Sequence, residues 1–341
     1  VCYKTAVPEL PSRTTVAIIG GGFAGAATAW ALRRAGVTDV IVLERETQVG
    51  RFASGRSAGL GRQLAEDDHT TALTVRGAQL LRELRGVWSP SGGILSFDDA
   101  AAADAYVARA KRFGVRVDVA DGASVLASWP LGDLRVAKGL FVPSDGTIDV
   151  PALLRELLAR VRVETAAGVE RIEPGRVVTA RGAIEARVIV EASGAWAGLL
   201  TGDEPLLAYK RHVFVMMAEL AATVPWLWHL GAGELYLRRD AEGVLASPCD
   251  SARSDPGHQD PDLVGEAQLR KLFDDLASPL ASAMITRRWA CQRAFASDRR
   301  MRLGQDDTRP WLVWAAGLGG HGATAAPAVG EQVAAAVMAA L

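Results

Sequence analysis

The chain has 341 residues, more than one hydrophobic core usually serves, so two lobes are expected. Its 38 lysines and arginines nearly balance 39 aspartates and glutamates, which argues against nucleic acid or an anionic membrane as the main partner. Apolar residues make up 49% of it, yet no apolar run approaches the length of an integral membrane segment, and Val1 to Thr14 lacks the apolar centre of a signal peptide.

Val16 to Ile19 is a short unbroken apolar run, which predicts a strand buried on both faces of a parallel sheet. Gly20, Gly22 and Gly25 follow at once in G-x-G-x-x-G spacing, with Phe23 and Ala24 between the last two. The first glycine suits a tight turn, the second a close approach to a pyrophosphate, the third the packing of helix on strand. Ala26 to Arg34 predicts a helix that is small on its inner side, with its positive end toward the phosphates. Val40 to Leu43 predicts a second buried strand. Glu44 ends it, where an acid accepts hydrogen bonds from ribose hydroxyls. Strand, glycines, helix, strand and acid in this order read as a dinucleotide site. The acid favours a free ribose, hence FAD or NAD over NADP.

Arg45 to Arg62 is a loop of small residues, hydroxyls and arginines that could clamp phosphate. A helix is expected over His69 to Gly86, with Leu73, Leu80, Leu81 and Leu84 inward, then a strand over Gly92 to Phe97. A helix over Asp98 to Phe113, a short strand at Val115 to Val117 and a loop to Pro130 follow. Asp149 is an expected N-cap, with Pro151 in the first turn after it. Short strands are expected at Val161 to Glu164, Val169 to Ile172, Arg176 to Thr179 and Arg187 to Val190. From 205 to 295 the pattern predicts antiparallel strands, a hairpin turning at Asp240 to Gly243, and one helix over Asp262 to Ser278. Trp311 to Ala315 predicts a strand, followed by a glycine-rich turn and a closing helix from near Pro327. Three cysteines, Cys2, Cys249 and Cys291, are few, odd in number and unpaired in spacing. That points to a reducing compartment, the cytoplasm. No metal-ligand spacing joins His69, His229 and His258.

These blocks resemble the D-amino-acid oxidase / glycine oxidase / sarcosine oxidase superfamily of FAD enzymes over nearly the whole chain. The pattern is nearest to bacterial D-arginine (D-amino acid) dehydrogenase. The resemblance rests on Ser54-Gly-Arg-Ser-Ala-Gly59, on the strand ending Glu191-Ala-Ser-Gly-Ala-Trp196 and on Gly317-Leu-Gly-Gly-His-Gly322, besides the first glycine turn. It implies an α/β fold of the glutathione-reductase-like FAD type. A Rossmann-like FAD-binding domain would comprise 1–86, 141–204 and 296–341, and an α+β substrate domain on an antiparallel sheet would comprise 87–140 and 205–295. FAD would contact Gly20, Gly22, Phe23, Ala24, Gly25, Glu44 and Arg45, then Ser54, Gly55, Arg56, Ser57 and Ala58. Val169 would meet adenine, with Ala192, Gly194 and Trp196 close to the cofactor. Gly319, Gly320, His321, Gly322, Ala323 and Thr324 would meet the ring's O2/N1 edge.

The implied chemistry is hydride transfer from a carbon bearing an amine to flavin N5, with the imine then hydrolysed. Such a site needs a clamp for the substrate carboxylate, and arginine's planar fork suits it. Arg293 matches the carboxylate-binding arginine of relatives, Tyr236 a tyrosine that closes the site, and Arg211 a substrate-side arginine. Arg62 is the alternative, as in sarcosine oxidases. His321 stands where relatives carry tyrosine or histidine. Cys291 has the spacing of the cysteine that bonds flavin in monomeric sarcosine oxidases, but D-amino-acid dehydrogenases have none there. Non-covalent FAD is therefore the expectation, and a link to Cys291 the alternative. Thr324 replaces an oxygen-promoting lysine of sarcosine oxidases, leaving O2 or another electron acceptor open. Glycine/sarcosine-type or tailoring amine oxidation, with Trp226 and Trp228 lining an aromatic pocket, is the second reading. An FAD-holding subunit of a larger complex is the reading from another class.

Overall fold

The computed structural model describes residues 9–221 and 223–341, so Cys2 and the first part of the Val1 to Thr14 reading lie outside the described residues. An eight-stranded sheet forms around Arg13–Ile19, which pairs in parallel with Val40–Leu43 on one side and Gly182–Glu191 on the other. Ile18 faces Val42 and Val190, and Val190 faces Val313 of the parallel strand Leu312–Ala316. Apolar clusters cover both faces, which is why these strands lack polar alternation. Two of these strands run further than expected, starting at Arg13 and Gly182, and Gly182–Glu185 also pairs antiparallel with Arg176–Thr179.

Seven helices are present among the described residues: α1 Phe23–Arg34, α2 Asp68–Glu83, α3 Ala100–Arg112, α4 Gly122–Leu126, α5 Val150–Leu158, α6 Leu263–Asp275 and α7 Gly322–Ala340. Helices α2 to α6 each begin on an aspartate whose carboxylate accepts a backbone N–H: Asp67, Asp99, Asp121, Asp149 and Asp262. The short α4 was expected to be loop; Asp121 is the signal that marks it. The neighbouring strand is Asp118–Ala120 rather than Val115 to Val117, because Val115 turns into the core while Asp118–Ala120 pairs with Gly139–Phe141. Helix α7 starts at Gly322, not near Pro327. Proline's fixed φ is compatible with a helix, so Pro327 is carried inside it at the loss of one backbone bond.

A nine-stranded second sheet draws its strands from 93–142 and 207–295. It is antiparallel except where Gly93–Phe97 runs parallel to Trp226–Leu230, a departure from the expected all-antiparallel sheet. Side chains alternate by face. Phe214, Met216, Leu235 and Leu237 pack under α6, while Val213, Val215, Trp228 and Tyr236 face α3 and the first lobe. Leu207–Met216 pairs with Ile285–Phe295 along its length, setting Arg211 opposite Cys291 and Tyr209 opposite Arg293. A small third sheet, Leu60–Gly61, Gly146–Ile148 and Trp88–Pro90, lies beside them. Among the described residues, no helix is long and apolar enough to cross a membrane.

Two outcomes are expected. A Cβ on Gly77 of α2 would lie 2.0 Å from the Thr324 carbonyl oxygen of α7. Gly77→Ala should therefore lower stability by about 1–3 kcal/mol, read as a drop in urea midpoint, and an unchanged midpoint would show room between the helices. Asp145 is fully buried, and its Oδ1 accepts from Gln63 N and Nε2 at 3.1 and 2.9 Å. Burial, only partly offset by Gln63 and by the charge of Arg62, pushes its carboxyl up to about 7. A raised folded-state value stabilises below the unfolded value and loses that stability as pH rises through about 7. Asp145→Asn should gain ~2 kcal/mol over the parent at pH 8 and little at pH 4. Equal differences at both pH values would refute the assignment.

Candidate active site

A cavity of ≈ 320 Å³ runs from the first glycine turn to the second sheet. Gly20 has φ +102°, and a Cβ there would lie 2.6 Å from the Ala192 carbonyl oxygen, so only glycine lets the first strand turn this close to the next. Gly25 serves packing: its Cβ would come 2.0 Å from Gly20 O, and it does not line the cavity. Glu44 is nearly buried at the cavity wall, with Oε2 accepting from Gly21 N and Oε1 from Glu46 N, both at 2.9 Å.

Helices α1 and α7 differ from the five aspartate-capped ones. Their N-caps, Gly22 and His321, make no side-chain cap bond, and both line this cavity. Ser54, on the loop after Glu44, accepts the Phe23 N–H at 2.8 Å and keeps its own proton for a ligand. A Cβ on Gly22 would sit 3.0 Å from Ser54 Oγ, so the turn is filled as soon as a side chain is added. Two helix N-termini left open onto one cavity, with an acid at one end, suit an extended group carrying phosphates and ribose hydroxyls. The residues present therefore fit FAD.

Most expected contacts line the cavity: Gly20, Gly22, Phe23, Ala24, Glu44, Arg45, Ser54, Ser57, Ala58, Val169, Ala192, Gly194, Trp196 and Gly319 through Thr324. Gly55, Arg56 and Arg211 do not, and neither does Gly25. Gly55 packs on Gly50, whose carbonyl oxygen a Cβ would meet at 2.1 Å. Arg56 is a strut between lobes rather than a phosphate ligand. Its Nη1 donates to Gln259 O and Ala290 O at 3.1 and 3.0 Å, and its own carbonyl accepts from Trp289 Nε1. Arg45 stacks over Trp196 at 4.2 Å and Phe52 at 5.1 Å, closing one end of the cavity.

At the other end the second sheet contributes Trp228, Tyr236, Cys291 and Arg293. Strand alternation puts Cys291 and Arg293 on one face. Burial, and then the like charge of Arg211, push the Arg293 guanidinium below its ordinary value. No protein carboxylate or carbonyl among the described residues bonds Arg293, and its nitrogens are open to the cavity rather than sealed in protein. Gly320 gives it room: a Cβ there would lie 3.1 Å from Arg293 Cζ. Arg211 is sealed behind this wall, with Nε and Nη1 lacking partners. Burial pushes the Tyr236 phenol and the Cys291 thiol up, against the pull of Arg293. Trp226 is fully buried in the core, whereas Trp228 reaches the cavity, its Nε1 donating to Glu234 at 2.9 Å.

Arg62 also reaches the cavity, its guanidinium carbon 4.2 Å from the Trp228 ring. Its Nη2 donates to Glu66 Oε1 at 2.7 Å, and Glu66 Oε2 accepts from His321 Nε2 at 2.9 Å. Burial alone would raise Glu66, but Arg62 and His321 outweigh it and hold the carboxyl well below the usual range. Sequence reading missed Glu66, Phe52, Gln259 and Gln292. Only Glu66 had a local signal, its position four residues after Arg62.

A family model for FAD dependent oxidoreductases (DAO) matches residues 15–336. Mitochondrial sarcosine dehydrogenase of Mus musculus is 30% identical over 242 residues, covering 61% of this chain and 26% of that protein. The 4-methylaminobutanoate oxidase (formaldehyde-forming) of Paenarthrobacter nicotinovorans is 25% identical, covering 97% of this chain and 44% of that protein. The chain thus spans less than half the length of either relative. Among solved structures, L-proline dehydrogenase from P. horikoshii superposes with a TM-score of 0.86 at 22% identity, covering 95% of this chain and 93% of that one, which shows a shared fold. With the family match running from the first strand through most of α7, the chain belongs to the DAO family of FAD-dependent oxidoreductases.

Proposed function

We propose that this chain oxidises the carbon–nitrogen bond of a small amino acid or amine, giving an imine that water hydrolyses. The observation that carries the reading is Arg293, a guanidinium open to the cavity beside the Gly319–Gly320 turn with no protein carboxylate on it. A substrate carboxylate would satisfy its fork with both oxygens. Arg211, buried beside Cys291 on the same sheet face, would add positive potential, and Tyr236 would cover the bound substrate. Gly20, Gly22 and the start of α1 would hold the pyrophosphate, Glu44 the ribose, Val169 the adenine, and Gly319 to Thr324 the ring edge. FAD, when bound, supplies a two-electron acceptor. The chain's own part is to bind, orient and exclude water. The division into an FAD-binding domain (1–86, 141–204, 296–341) and a substrate domain (87–140, 205–295) is supported by the two large sheets, while the small sheet joins Trp88–Pro90 to Gly146–Ile148 across the boundary.

A second reading, oxidation of N-methylated amino acids, is supported by two relatives named for such donors, sarcosine and 4-methylaminobutanoate. Anaerobic flavin reduction over D-amino acids, glycine, sarcosine and other N-methyl amines tests both, and re-oxidation in air then reports on O2 as acceptor. A yellow protein that no amine bleaches would instead favour the FAD-holding subunit. A colourless one that FAD cannot reconstitute would sink all three.

Arg293→Ala should lower kcat/KM for acid substrates about 100-fold, as expected for one lost charge-assisted clamp, while flavin content is kept. Parallel loss of both would make the residue a support of the fold. FAD is proposed to be non-covalent, since burial keeps Cys291 a thiol. Acid precipitation should then leave flavin in the supernatant, and a yellow pellet would establish the bond to protein.

A further inference from the structure

Oxidation of an amine needs the nitrogen lone pair, but at neutral pH an alkyl amine arrives as an ammonium ion. The proton must therefore leave before the carbon–nitrogen bond is oxidised, to bulk water or to a base at the cavity. The cavity is lined by four arginines, Arg45, Arg51, Arg62 and Arg293, none of which accepts a proton. Tyr236 and Cys291 already hold protons that burial makes harder to lose. Glu44 has both oxygens on backbone N–H groups at the far glycine turn. His321 is the remaining ionisable lining residue.

Its ring is held in one tautomer. Glu66, kept ionised, offers only an acceptor to Nε2, so the ring hydrogen sits on Nε2. The 3.5 Å approach of Arg62 Nη2 to the same nitrogen is then donor against donor and is no bond. Nδ1 is left with its lone pair, no protein partner among the described residues, and access to a ligand. Position agrees as well. Arg293 lies against Gly320, one residue before His321, and the amine of an α-amino acid is attached to the carbon next to its carboxylate.

Resting on the amine-oxidation reading above, we propose that His321 Nδ1 is the base that takes the proton of the substrate ammonium, and that Glu66 is the positioning residue that sets its tautomer and offsets the charge it gains. The ammonium gives H⁺ to Nδ1. The freed nitrogen pair then closes C=N as the neighbouring carbon loses its hydride to the bound oxidant. The imidazolium, bridged by Glu66, later returns its proton to water. The charged or titratable groups that face the ring are Glu66, Arg62 and Asp67 from the 62–67 segment, and Arg293 of the second sheet lies against the neighbouring Gly320.

The test is stopped-flow reduction of the holoenzyme across pH with an amine that bleaches it. His321→Gln should slow reduction ~100-fold or more at pH 7 and recover toward the parent rate at high pH, where the substrate is itself unprotonated. Glu66→Gln, which keeps an oxygen toward Nε2, should slow it ~10-fold and move the acid limb to lower pH. ¹⁵N shifts of His321 should show the Nε2–H form in the parent and a mixture in Glu66→Gln. Unchanged pH profiles in both variants, or an Nδ1–H ring in the parent, would overturn the proposal. If no amine reduces the parent flavin, the amine-oxidation reading fails first, and the ¹⁵N result still decides the tautomer.

Discussion

A positive charge held in the cavity without a protein anion is the constraint on which the site turns. An unpaired guanidinium away from water is costly, and proteins ordinarily pair it. Arg62 is paired, to Glu66, whereas Arg293 is not. Gly320 makes room for it, and the strand pairing of Ile285–Phe295 with Leu207–Met216 fixes the face it points from. A ligand carboxylate would relieve this imbalance, so the arrangement favours binding over stability of the empty site.

The opposite end of the cavity follows the same logic with backbone groups. Five helices are closed by aspartate, while the two that meet the cavity are not. Their positive ends, with the N–H groups left beyond the one Ser54 accepts from Phe23, create an attraction for anionic and electron-rich edges without adding a formal charge. Between the two ends, Arg56 and Arg238 reach across from one lobe to carbonyl oxygens of the other, Arg238 Nε donating to Ala58 O at 2.6 Å. The loop that should contact the cofactor is therefore anchored by the sheet that carries Arg293.

The glycine turn, the buried strands around it, the acid at Glu44 and the aspartate caps were legible along the chain, because each depends on residues within a turn or a strand of one another. The two-domain architecture followed from the resemblance of these blocks to a known family. Helix α4 and the true start of α7 were not read, since a short capped turn and an internal proline are weak signals beside the packing that stabilises them.

What tertiary structure decided was which arginine does what. Arg56, Arg62, Arg211 and Arg293 are chemically alike in sequence, and only their long-range surroundings, strand register for Arg211 and Arg293 and loop packing for Arg56 and Arg62, distinguish a strut, a latched side chain, a sealed charge and an open one. The Glu66–His321 contact joins residues 255 positions apart, through the docking of α7 beside α2. Sequence by itself determined a dinucleotide site, because buried strands and a glycine turn are short-range physics, while the fold type and FAD came from the resemblance of its blocks to a family. The free charge and the tautomer of His321 depend on what long-range packing places within hydrogen-bond reach, and no local pattern encodes that.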